Sequence, residues 1–261
     1  MKPGLTGGSA LGAALAYFGA MGILAWGLHH APHGYADPHF VVDYLSTELQ
    51  VAAWLLVCTL IWFRPAAIGL RWPQWQTWQG LVPLALLVAV YGARWGATLL
   101  WSSPTQASAD IPAHRILITT LAVGLTEEWM YRGLLLAVCS AWLGLHRGAA
   151  LSLVLFGALH LLNVAGGQSV AAVAIQSVLA ALTGAVLLLA ALSTRSLLVP
   201  VLGHGLYDFF TIDAARFIPT DETSLLTLAA LPVGPLLGLY CVYRLHRWPA
   251  GSPYPVTSVA T

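Results

Sequence analysis

Read from its amino end, the chain alternates long apolar runs with short polar joints. Runs able to cross roughly 30 Å of hydrocarbon at about 1.5 Å per helical residue fall near 10 to 28, 47 to 63, 79 to 101, 116 to 145, 148 to 165, 169 to 192, 196 to 212 and 224 to 244. They predict an all-α fold, a polytopic integral membrane bundle of about eight transmembrane helices. The fourth run is too long for one simple crossing and is expected to begin or end in a tilted or interfacial turn, and the short fifth and seventh runs are expected to tilt into the bundle. No internal repeat, low-complexity tract or second soluble unit interrupts the pattern, so residues 1–261 read as one membrane domain.

Composition strengthens the same picture. The 261 residues are 58% hydrophobic and only 8% charged, with a mean hydropathy of +0.77, which leaves too little polar surface to cover a water-facing globule. A formal net charge of +1, with no basic stripe, excludes nucleic acid as a partner. Cys58, Cys139 and Cys241 lie inside apolar runs without paired spacing and read as small core residues.

The polar joints carry an orientation. With the spans laid out in alternation, Lys2, Arg64, Arg71, Arg147, Arg195, Arg244 and Arg247 fall at the termini and even-numbered joints, whereas only Arg115 and Arg216 fall in odd ones. Basic residues gather on the cytoplasmic side, so both termini are expected there. Asp37, Asp43, Glu48, Asp110, Asp213, Asp221 and Glu222 read as loop acids on the opposite side. Lys2 before an apolar run also resembles a signal peptide, but His29 to Pro32 is a poor small-residue cleavage site, and a retained span is the preferred reading. Trp72, Trp75 and Trp78 among Gln74, Gln76 and Gln79 predict a belt at headgroup level. His29, His30, His33 and His39 share the first joint and could bind metal, although a solvated loop is the plainer expectation.

Ionisable groups inside spans are costly and demand a reason. In the fourth run Glu128 and Arg132 stand at i and i+4 and can neutralise each other, while Glu127 projects about 100° away and remains free to work. The fifth run carries Phe156 and His160, with Asn163 a turn later, and the seventh carries His204 and Asp208 on one face, with Gly203 and Gly205 flanking the imidazole. Each feature alone can be helix packing; together they place more polar groups in a bundle than packing requires. A carboxylate beside imidazole in a poorly solvated cavity is suited to taking a proton from water. No serine or cysteine nucleophile motif accompanies the histidines, and the short His-Glu-x-x-His zinc signature is absent. Arg94 in the third run is read either as snorkelling outward or as neutralising a cavity carboxylate.

The ordered set Glu127-Glu128 with Arg132, Phe156 with His160, and His204 with Asp208 resembles the CAAX prenyl endopeptidase and bacteriocin-processing (CPBP, or Abi) family of intramembrane proteases, over roughly residues 115 to 212. The resemblance implies a helical membrane fold with a polar cavity open to the cytoplasm, and a membrane-associated protein or peptide as substrate: a prenylated protein, a leader peptide or a C-terminal sorting signal. It implies that Glu127 with His160 activates water while His204 and Asp208 stabilise the oxyanion or position the water. No cofactor is favoured and the glutamate mechanism is preferred, with a divalent metal such as zinc as the alternative. Asp208 departs from the asparagine of the eukaryotic prenyl endopeptidases, and a carboxylate donates to an oxyanion only when protonated. Small size, low charge and abundant tryptophan suggest a prokaryotic inner membrane. The competing functions are a non-catalytic immunity or accessory protein of the same family, and a small-solute carrier, which would predict inverted repeats.

Overall fold

The computed structural model describes residues 7–33, 37–108 and 110–249, so Lys2 lies outside the described residues. The architecture is a helical bundle. Its elements are α1 (Gly7–His30), α2 (Phe40–Trp62), α3 (Leu81–Trp101), α4 (Ala113–Glu128), α5 (Leu136–Leu143), α6 (Leu145–Leu159), α7 (Val170–Thr194), α8 (Leu198–Ala214), α9 (Asp221–Ala230) and α10 (Val233–His246). A π-helical stretch, Trp129–Leu135, joins α4 to α5 without a break, and a 3-10 turn, His160–Val164, extends α6. Only a short break at Leu231 and Pro232 separates α9 from α10, so the described helices form eight rods. Six of these are long and apolar enough to cross a membrane. The other two, α4–α5 and α8, carry Glu127, Glu128 and Arg132, and His204 and Asp208, respectively.

Contacts between the joints show that the rods alternate in direction. At one end Gln74 N–H donates to the Thr194 carbonyl (2.7 Å) and Gln76 N–H to that of Ser193 (2.9 Å), joining the α2–α3 connection to the end of α7. There Arg195 takes a left-handed conformation (φ 51°), and its carbonyl accepts Arg71 Nε at 2.7 Å. Trp72, Trp75 and Trp78 stay exposed on this pinned segment, as an interfacial belt requires. At the other end Arg216, buried beyond α8, pairs with Asp213 and donates from Nη1 to the carbonyls of Ser108 and Ile111, both at 2.9 Å. Asp213 is thus a buried partner in the last turn of α8 and not a loop acid.

The second rod begins earlier than hydropathy suggests. Asp43 lies in the first turn of α2, and Glu48 is a buried residue within it. Backbone hydrogen bonding extends a helix through polar residues that an apolar window excludes. Arg94 follows neither expected course: it donates to Thr227 Oγ1 (3.2 Å) and the Thr211 carbonyl (3.4 Å), linking α3 to α9 and α8.

The centre of the bundle is α7, whose second half, Thr183 to Thr194, is buried on every side. Its first half presents Val170, Ile175 and Val178 outward. Helices in lipid associate through close packing of small residues and not through exclusion of water. The crossing of α4 and α8 follows that rule: a Cβ added to Gly124 would lie 2.8 Å from the Val201 carbonyl oxygen, and one on Gly205 would lie 2.9 Å from Leu121 Cα. These two contacts bring the Glu127-Glu128 pair against His204.

Candidate active site

Each polar motif occupies a different rod, and the α4–α8 crossing assembles them. Glu128 and Arg132 have fully buried side chains and form an ion pair with Arg132 Nη1 2.9 Å from Glu128 Oε1. Arg132 Nη2 donates to the Gly184 carbonyl at 3.0 Å, and its guanidinium lies 4.0 Å from the centre of the Phe156 ring. Gly184 permits that approach, since a Cβ there would sit 2.7 Å from Arg132 Nη2 and 2.8 Å from Phe156 Cδ1. Charge, hydrogen bond and ring contact together compensate a guanidinium removed from water.

The same Glu128 oxygen faces His204 Nδ1 at 2.9 Å. A carboxylate oxygen can only accept, so this contact places a proton on Nδ1 and turns Nε2 toward Glu127 and Asp208. Asp208 Oδ2 stands 3.4 Å from Nε2 and Glu127 Oε2 stands 3.7 Å from it. Arg132, Glu128 and His204 therefore form a buried relay whose far end meets the two carboxylates that retain slight exposure. Glu127 and Glu128 thus meet the same imidazole from its two nitrogens, Nε2 and Nδ1 respectively.

His160 stands at the junction of α6 with its 3-10 extension. Its Nδ1 faces the Phe156 carbonyl at 3.1 Å, a contact that again puts the proton on Nδ1 and leaves Nε2 able to accept. Phe156 lies between the imidazoles edge to face, 5.5 Å from the His160 ring and 5.9 Å from that of His204. The imidazole within ion-pairing distance of Glu127 is thus that of His204 and not that of His160. Asn163 donates to Gln176 Oε1 on α7 at 3.0 Å, a link that steadies the turn after His160.

The helix changes pitch immediately after the paired glutamates. In the π stretch the Tyr131 carbonyl accepts the Ser152 hydroxyl of α6 at 2.8 Å, giving a disturbed backbone acceptor a partner outside the helix. Gly133 brings this stretch close to the chain after α2, because a Cβ there would be 3.2 Å from the Ile68 carbonyl oxygen.

One residue of the cluster was not anticipated from the sequence. Glu48 on α2 is 1% exposed and accepts the hydroxyl of Thr126, the residue before Glu127, at 2.5 Å. Its signal in the sequence is positional: Glu48 lies three, seven and ten residues before Val51, Leu55 and Cys58, which line the buried face of α2.

Among the described residues, only His33, Asp37 and His39 place three ligand atoms within 4.8 Å of one another. The described motif residues do not converge as such a set.

Residues 110–210 match the family model of the type II CAAX prenyl endopeptidase Rce1-like proteins. No curated protein matches the chain. The matched range contains Glu127, His160, His204 and Asp208, and it is similar to a protease family within a chain that has six helices able to span a membrane. Residues 110–210 of this multi-pass membrane protein are therefore similar to the CPBP-type CAAX protease family.

Proposed function

We propose that this protein is an intramembrane endopeptidase that hydrolyses a peptide bond of a membrane-associated protein or peptide with water activated by Glu127. The observation that carries the reading is the convergence of Glu127 and Asp208 on Nε2 of His204, whose other nitrogen is held by Glu128. A carboxylate confined among helices takes a proton from water more readily than one in bulk solvent. Glu127 removes that proton as the water oxygen bonds to the scissile carbonyl carbon. The resulting oxyanion needs a donor. His204 carrying a proton on Nε2 as well as Nδ1 can supply one, while His160 accepts a hydrogen bond from the attacking water through Nε2. The C–N bond then breaks, and the proton held by Glu127 passes to the departing amine.

The test compares new peptide termini, by mass spectrometry of membrane proteins, in cells carrying wild type or Glu127→Gln. Termini present with wild type and reduced at least about 100-fold in the variant, the lower range for loss of a general base, support the reading. Identical termini in both, with any associated phenotype retained, overturn it in favour of the non-catalytic accessory role.

A further inference from the structure

A second cluster of histidines and carboxylates lies at the end of the bundle where α1 passes to α2, and it is separate from the protease motifs. His33, Asp37 and His39 bring one ligand atom each within 4.8 Å of one another. The two imidazole rings are 5.1 Å apart and inclined at 32°. Around them stand Asp43, in the first turn of α2 with Oδ2 2.6 Å from His33 Nδ1, and Asp110, from the α3–α4 connection with Oδ2 3.3 Å from His39 Nε2.

The hydrogen-bond inventory leaves one position at His39 to be filled by a second proton or by a metal ion. His39 Nδ1 lies 3.0 Å from Asp37 Oδ1 while its Nε2 faces Asp110, yet a neutral imidazole has a single N–H to donate. One of these contacts therefore requires a second proton or a metal. A metal between His39 Nδ1 and Asp37 would leave Nε2–H for Asp110. On His33, Asp43 would hold Nδ1–H and leave Nε2 for the same ion. Each imidazole would then have a carboxylate on the nitrogen remote from the metal, the arrangement that fixes tautomer and ring direction at histidine sites. Two nitrogens and a carboxylate oxygen suit a borderline cation.

We propose that His33, Asp37 and His39 form a binding site for a divalent transition ion of the zinc type, with Asp43 and Asp110 as the carboxylates that orient the two histidines. The ion fastens the α1–α2 connection to the start of α2 and, through Asp110, to the α3–α4 connection. Its role is structural, and the inference does not depend on the proposed protease chemistry.

The experiment is a Zn(II) titration by calorimetry of the detergent-solubilised full chain after chelator treatment, with the melting temperature read in parallel. One equivalent should bind wild type and raise its melting temperature. His33→Ala and His39→Ala should each weaken binding by at least about tenfold, and Asp43→Asn should weaken it by about tenfold through His33. Glu127→Gln should bind as wild type does. Co(II) absorption of the unsubstituted protein reports nitrogen and oxygen ligation whether or not the alanine variants fold. Absence of a Zn(II)-dependent signal in wild type overturns the proposal, as does binding that survives in the His33→Ala, His39→Ala double variant or disappears in Glu127→Gln.

Discussion

Histidine meets carboxylate in two regions of this molecule, and the surroundings set what each meeting can do. Around His204 the partners come from two helices crossing in the bundle: Glu128 with no exposure, and Glu127 and Asp208 with little. Around His39 they come from chain segments outside the spans, Asp37 and Asp110, with side chains 40% and 75% exposed. Water can replace a lost partner at His39. It cannot do so at Glu128, where every removed partner leaves a buried group unsatisfied. The inner cluster is therefore rigid and costly to disturb, while the outer one is free to exchange partners with an ion.

Substitutions can break this comparison, and the largest effect is expected at Arg132. Arg132→Met leaves Glu128 uncompensated and should destabilise the protein by about 3–5 kcal/mol, read as a fall in melting temperature in detergent. Adding Glu128→Gln should recover part of that loss, and a double variant no better than the single one would show that the pair does not hold the core. Next comes Gly184→Ala, whose methyl group meets both Arg132 Nη2 and Phe156 Cδ1. An overpacking cost of about 1–3 kcal/mol is expected, with the proposed peptidase activity falling further than stability because the Arg132–Glu128–His204 relay shifts. A neutral outcome in both measurements would mean that the ring and guanidinium yield freely.

Thr126→Val is expected to cost about 1–2 kcal/mol by removing the hydroxyl that Glu48 accepts. Thr126→Ser should restore most of it, and equal stability of Val and Ser variants would show that this contact contributes nothing. The smallest effect belongs to the outer cluster: His33→Ala in metal-free protein should change stability by less than about 0.5 kcal/mol, as for a surface side chain. A cost there rivalling that at Arg132 would remove the distinction between the regions.

Much of the inner cluster was legible in the sequence because its information is local. Glu128 and Arg132 are one helical turn apart, and His204 and Asp208 repeat the spacing, so any helix places each pair on one face. Glu48 reads as a loop acid in the sequence because hydropathy measures what lipid tolerates over a window, and the polar residues Asp43, Tyr44 and Ser46 put it at the edge of the apparent span, whereas α2 starts at Phe40. The pitch change at Trp129 had no compositional signal, because Ser152 reaches the Tyr131 carbonyl from another helix. The assignment of His160 as the partner of Glu127 came from family resemblance, whereas the crossing of α4 and α8 gives the short distance to His204.

The sequence by itself determined that this chain is a membrane-spanning helical bundle with ionisable residues inside it, because transfer of apolar runs into hydrocarbon and the turn of a helix depend on residues close together in the chain. Only the tertiary structure decided which imidazole meets which carboxylate, that Glu48 joins them and that His39 stands between Asp37 and Asp110. Those contacts depend on how closely separate rods and connections approach, and Gly124 and Gly205 permit that approach only once α4 and α8 have packed together.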